Sequence, residues 1–108
     1  MNEQEILKKA IEAYGEREHS AVAMEECGEL IRAINKMHRN QSVENRNELI
    51  SEIADVQIMI EQLVLMYKLN PINIQRMKDY KISRLIARIQ KSEETAFDDH
   101  EISGLLDD

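Results

Sequence analysis

The sequence predicts an all-α protein, a four-helix unit that assembles into an oligomeric helical bundle. Three observations carry this prediction. Apolar residues recur at spacings of three and four over long stretches, which is the pattern of a single buried helix face. Three glycines and one proline among 108 residues leave too little punctuation for hairpins. The apolar residues are mostly Leu, Ile, Met and Val, with 4% aromatics and no tryptophan, which suits helix packing.

The first helix is expected over about Glu3 to Tyr14, with Ile6, Leu7, Ala10, Ile11 and Ala13 on its apolar side and Gly15 as its stop. A second should begin around residues 18–20 and run to about His38. Asn40, Gln41 and Ser42 make a polar turn, and Ser42 can cap a third helix from Val43 to about Leu69. Asn70-Pro71 then ends that helix and opens a fourth, since Asn caps well and Pro suits the first helical position. The fourth is expected to reach about Lys91, with Ile74, Met77, Ile82, Leu85, Ile86 and Ile89 along its inner side. Residues 1–92 then form one helical domain. Residues 93–108 form an acidic, loosely ordered tail, of which Phe97, Ile102, Leu105 and Leu106 are the residues able to dock on a neighbouring chain.

Charge and composition exclude some functions. A net charge of -7 argues against holding a nucleic acid through its phosphates, which takes clustered Lys and Arg. The most apolar stretch, from Val56 to Leu69, is broken by Gln57, Glu61, Gln62 and Lys68, so no membrane-spanning helix is expected. With one cysteine, Cys27, there is no internal disulfide. A soluble cytoplasmic protein is the expectation.

Two narrow apolar seams frame the chemistry. Ala23, Cys27, Leu30, Ile34 and Met37 form one, and Leu49, Ile53, Val56, Ile60, Leu63 and Tyr67 the other. Glu26 and Glu29 each precede a residue of the first seam, and Glu52 and Asp55 each precede one of the second. Residues three apart on a helix project from the same side about a turn from one another. Both pairs are therefore expected about 100° to the same side of their seams, at the edge of the core. Packed antiparallel, the two helices would bring four carboxylates onto one ion. Either pair alone reads as a solvated helix face; together they read as a site for a hard divalent cation, Mg²⁺ with Mn²⁺ as a substitute, whose charge offsets their mutual repulsion. Glu48, one turn before Glu52, and Glu25 are candidates for an outer role, orienting water or acting as a base. The third helix carries a further apolar strip, Ile50, Ala54, Ile58 and Leu65, which predicts self-association.

The string Glu25-Glu26-Cys27-Gly28-Glu29-Leu30, followed by Glu52-Ile53-Ala54-Asp55-Val56, resembles the MazG-like family of all-α nucleoside triphosphate pyrophosphohydrolases, whose signature is E-x-x-E, a variable spacer and E-x-x-D. The resemblance runs from about Tyr14 to Ile89. It implies conversion of (d)NTPs to monophosphate and pyrophosphate with Mg²⁺, and assembly as a homodimer or a homotetramer built from two dimers. Carried over by motif, Glu26, Glu29, Glu52 and Asp55 are the metal ligands and the catalytic set. Lys78, Lys81 and Arg84 are the basic residues implied for the departing phosphates. The implied reaction is metal-assisted attack of water on the α-phosphorus.

Other readings stand beside it. Relatives specific for dUTP or phosphoribosyl-ATP share the general fold, and a non-catalytic helical interaction module would treat the acidic clusters as surface. Glu16 and His19 form an E-x-x-H like that of di-iron bundles, but His38 and His100 lack the acidic residue three positions earlier that a second such motif needs. His19 is expected at the helix start, or against the base or ribose.

Overall fold

The computed structural model describes the backbone of residues 1–105 and the side chains of residues 1–96. Its helices are α1 (Glu3–Tyr14), α2 (Glu16–Arg39), α3 (Val43–Met66) and α4 (Pro71–Leu105), with no strand among the described residues. The all-α, four-helix expectation holds. The chain divides between Leu69 and Asn70 into two compact units, the first holding α1–α3 and the second α4.

Local chemistry sets the helix ends. The Asn2 side chain accepts from the Glu5 amide at 2.8 Å and caps α1. Gly15 ends α1 at φ 90°, a backbone region that other residues occupy only with strain, and its N–H reaches the Ile11 carbonyl. This single glycine completes the turn, so α2 starts at Glu16, two to four residues earlier than expected. Ser42 caps α3 by accepting from the Asn45 amide at 3.1 Å. Asn45 in turn donates to the Asn40 carbonyl at 2.9 Å, an acceptor at the end of α2, and to the Lys36 carbonyl at 3.3 Å, which also accepts from the Asn40 amide. At the start of α4, Asn70 accepts from the Ile72 amide at 3.0 Å.

Within the first unit α2 and α3 make the main contact, and α1 touches both. They run antiparallel: Lys36 meets Glu48 beside the connecting turn, and Ser20 meets Tyr67 at the far end through a 2.8 Å hydroxyl–hydroxyl bond. The contact face differs from the expected seams. Ala33 is fully buried, and Ala23 and Met59 nearly so. Leu30, Met37, Val56 and Leu63 are half-buried, whereas Cys27 is exposed and Ile34 and Ile60 remain about half exposed at 52% and 50%. The faces are rotated so that Glu26, Glu52 and Asp55 stand in the contact instead of beside it. On α2 the small side chains of Ala23 and Ala33 are the buried ones, while the bulky Ile31 and Ile34 face outward.

The second unit's α4 extends beyond the expected end near Lys91. Between Pro71 and Gly104 the sequence has neither proline nor glycine, so nothing there ends a helix. The anticipated boundary at 92/93 falls inside this helix, and the side chains of Phe97, Ile102, Leu105 and Leu106 lie outside the described residues. From residue 71 to residue 96 every side chain is exposed, including those of Ile74, Met77, Ile82, Leu85, Ile86 and Ile89.

Candidate metal centre

Glu26 and Glu29 occupy the middle of α2, and Glu52 and Asp55 the middle of α3. The antiparallel contact places the pairs opposite one another. One carboxylate oxygen from each of the four lies within 4.8 Å of the others. Glu26, Glu52 and Asp55 are half-buried and Glu29 is exposed, so the cluster opens to solvent on the Glu29 side.

The cluster is electrostatically unsatisfied as it stands. The Oε2 atoms of Glu26 and Glu52 are buried without a hydrogen-bond partner among the described residues. Burial first, and then the charges of Glu29, Asp55, Glu52 and Glu25, push the Glu26 carboxyl above its ordinary pKa. Glu52 is raised in the same way, by burial and then by Glu29 and Asp55, with Glu48 adding to the effect. Buried, unpartnered carboxylate oxygens on members of such a cluster are what a hard cation satisfies. An ion of Mg²⁺ size holds oxygens at ~2.1 Å, so opposite ligands stand ~4.2 Å apart. The four oxygens already occupy nearly that volume. The donor set fits Mg²⁺ or Mn²⁺, and the exposed edge leaves room for the ion's own waters.

The other candidate residues are placed less uniformly. Glu25 is exposed on α2 and acts on Glu26 through its charge. Glu48 is half-buried and accepts both of its contacts from Lys36 Nζ, at 3.0 and 3.1 Å. Lys78, Lys81 and Arg84 stand on α4, in the second unit, all exposed. The Arg84 guanidinium lies over the Tyr80 ring, 5.9 Å from its centroid. His19 joins α1 to α2: its Nε2 lies 2.9 Å from the Ala10 carbonyl and acts there as the donor, and its ring meets Tyr14 edge-on. Lys36, which no sequence motif singles out, is the partner of Glu48. Its signal was its spacing, two turns beyond Glu29 on the same side of α2.

An antiparallel helix pair carrying E-x-x-E opposite E-x-x-D, with its carboxylates converged, defines an all-α protein with an acidic cluster able to hold a cation. The model of the MazG nucleotide pyrophosphohydrolase domain matches residues 15–93. The chain belongs to that family of nucleotide pyrophosphohydrolases. Comparisons with curated proteins and with solved structures give no match.

Proposed function

We propose that the protein hydrolyses nucleoside triphosphates, ribo or deoxy, to the monophosphate and pyrophosphate in a Mg²⁺-dependent reaction. The observation that carries this reading is the convergence of four carboxylates within 4.8 Å, two of them with a buried, unpaired oxygen. Family membership supplies the reaction type. A divalent cation bound there supplies charge neutralisation of the phosphates and polarisation of a water. Glu26, Glu29, Glu52 and Asp55 hold it. Glu29 is the exposed member of the four, which leaves that side open for substrate.

In the step itself the water oxygen forms a bond to the α-phosphorus and the bond from that phosphorus to the bridging oxygen breaks. Pyrophosphate departs with the electron pair, and the water's proton passes to solvent. Lys78, Lys81 and Arg84 are proposed contacts of the departing phosphates, with Arg suited to bidentate binding. Glu25 and Glu48 modulate the cluster through their charges.

Self-association belongs to the same reading. Ile31, Ile34, Ile50 and Ile60 are at least half exposed, and a described surface this apolar favours a homodimer, or two dimers joined as a tetramer. Among the described residues no helix is long and apolar enough to cross a membrane, which is compatible with a cytoplasmic enzyme.

The deciding experiment follows pyrophosphate release from each common NTP and dNTP, with Mg²⁺ and with EDTA, in the wild type and in Glu52→Ala. Metal-dependent release that the variant lacks is expected. No release from any nucleotide, together with no Mg²⁺-dependent rise in Tm, would leave a helical interaction module in its place.

A further inference from the structure

We propose that Lys36 is a substrate-phosphate contact, held by Glu48 until a nucleotide displaces it. The inference rests on the nucleotide-hydrolysing reading of the acidic cluster and adds a residue to it. Lys36 lies two turns beyond Glu29, and seven residues return a helix to nearly the same azimuth, so both project from one side of α2. Across the contact, Glu48 lies one turn before Glu52 on α3. The Lys36 ammonium therefore marks the end of the cluster nearest the α2–α3 turn.

Its placement is well defined. The Lys36 carbonyl accepts from the Asn45 side chain at 3.3 Å, which fixes the backbone beside the turn. The ammonium donates to both Glu48 oxygens, at 3.0 and 3.1 Å, with the two side chains 43% and 36% exposed. A pair so open to solvent is weakly held. A polyphosphate carries more negative charge than one carboxylate and competes for the same donors. With the α-phosphorus at the carboxylates, two further phosphates reach about one helical turn, ~5.4 Å, along the contact. The flexible four-carbon stem of lysine covers the remaining distance. Glu48 holds the ammonium close to the cluster and keeps its own carboxylate engaged elsewhere.

The test measures binding of inorganic pyrophosphate in the presence of Mg²⁺ by calorimetry, together with KM and kcat for the best nucleotide. Lys36→Met should weaken pyrophosphate binding and raise KM at least tenfold. Its Mg²⁺ midpoint without nucleotide should be no weaker than in the wild type. Lys36→Arg should recover part of the loss. Glu48→Gln frees the ammonium and should tighten pyrophosphate severalfold, and the double variant Lys36→Met/Glu48→Gln should lose that tightening, whereas loss of the Glu48 charge alone predicts that it survives. Pyrophosphate affinity and KM within twofold of wild type in Lys36→Met would overturn the proposal. If that variant does not fold, Glu48→Gln decides, and unchanged or weaker pyrophosphate binding overturns it. Failure of the underlying reading looks different, because the wild type would then release no pyrophosphate from any nucleotide.

Discussion

Glu26 on α2 and Glu52 on α3 meet across the helix contact with the same defect, a buried Oε2 atom that lacks a hydrogen-bond partner. Each lies opposite the other's helix in a cluster that also holds Glu29 and Asp55. Burying an unpaired carboxylate is among the costlier arrangements in a protein. In the metal-free chain the cost is reduced by raising the pKa of both groups; a bound cation removes it altogether.

The first consequence is a pH-dependent stability that the metal abolishes. Both groups have folded pKa values above the ordinary 4.5, so the folded state binds more protons than the unfolded state. Stability of the metal-free protein must therefore fall as pH rises from about 4.5 through the raised values, and level off above them. Melting in EDTA between pH 4.5 and 8 should show this decline, and saturating Mg²⁺ at pH 8 should reverse it. A metal-free Tm that climbs steadily over the same range would contradict the assignment.

Neutral isosteres separate charge from shape. Glu52→Gln removes the buried charge but keeps the side chain's size, so the EDTA melting temperature at pH 8 should rise. The Mg²⁺ response should disappear with it. Losing a ligand outright should cost turnover by more than the ~10–100-fold typical of residues that only support a ligand. A variant that gains stability in EDTA while losing its metal response is the signature of a site that trades stability for function.

The position of the oxygen-18 label tests the reaction step. Hydrolysis in labelled water should place the label on the nucleoside monophosphate if, as proposed, the new bond is to the α-phosphorus. Label recovered in pyrophosphate would move the attack to the β-phosphorus and reassign which phosphate sits at the carboxylates.

His19 divides a structural role from a chemical one. Its contact with the Ala10 carbonyl, 2.9 Å away, ties α1 to α2, and losing a hydrogen bond of this kind costs about 1 kcal/mol. His19→Ala should lower the Tm by a few degrees, with the Mg²⁺ midpoint and KM unchanged. A raised KM would return it to the base or ribose, and iron in the purified wild type would favour the di-iron reading of Glu16 and His19.

Much of this arrangement was legible in the sequence, for physical reasons that also mark where legibility stopped. Helix ends governed by one residue's chemistry, at Gly15, Ser42 and Asn70-Pro71, were readable from residue type. So were the four carboxylates, because a three-residue spacing fixes two side chains to one side whatever the helix packs against. The rotation of α2 against α3 was not readable. Periodicity selected Ala23, which is buried, but also Ile34 and Ile60, which stay about half exposed, and it passed over the buried Ala33 and Met59. The Lys36–Glu48 pair depends on that rotation, so a reading of each helix by itself could not find it. The length of α4 was legible in principle, since no proline or glycine lies between Pro71 and Gly104, but the acidic composition after Ser92 pointed to a tail instead.

Ala33 tests whether close approach of the helices makes the site. It is fully buried in the α2–α3 unit, on the side of α2 that carries Glu26. Ala33→Leu inserts three carbons at a fully buried position, and overpacking of this kind costs about 1–3 kcal/mol. Backbone shifts that make room between the helices spread carboxylate oxygens now within 4.8 Å of one another. Melting temperature should fall and the Mg²⁺ midpoint should shift to higher concentration in the same variant. At Ile34, half exposed on the same helix, exchange for Leu preserves size and polarity and should leave both within error. Equal Mg²⁺ midpoints in Ala33→Leu and the wild type would mean that the carboxylates converge without the close contact.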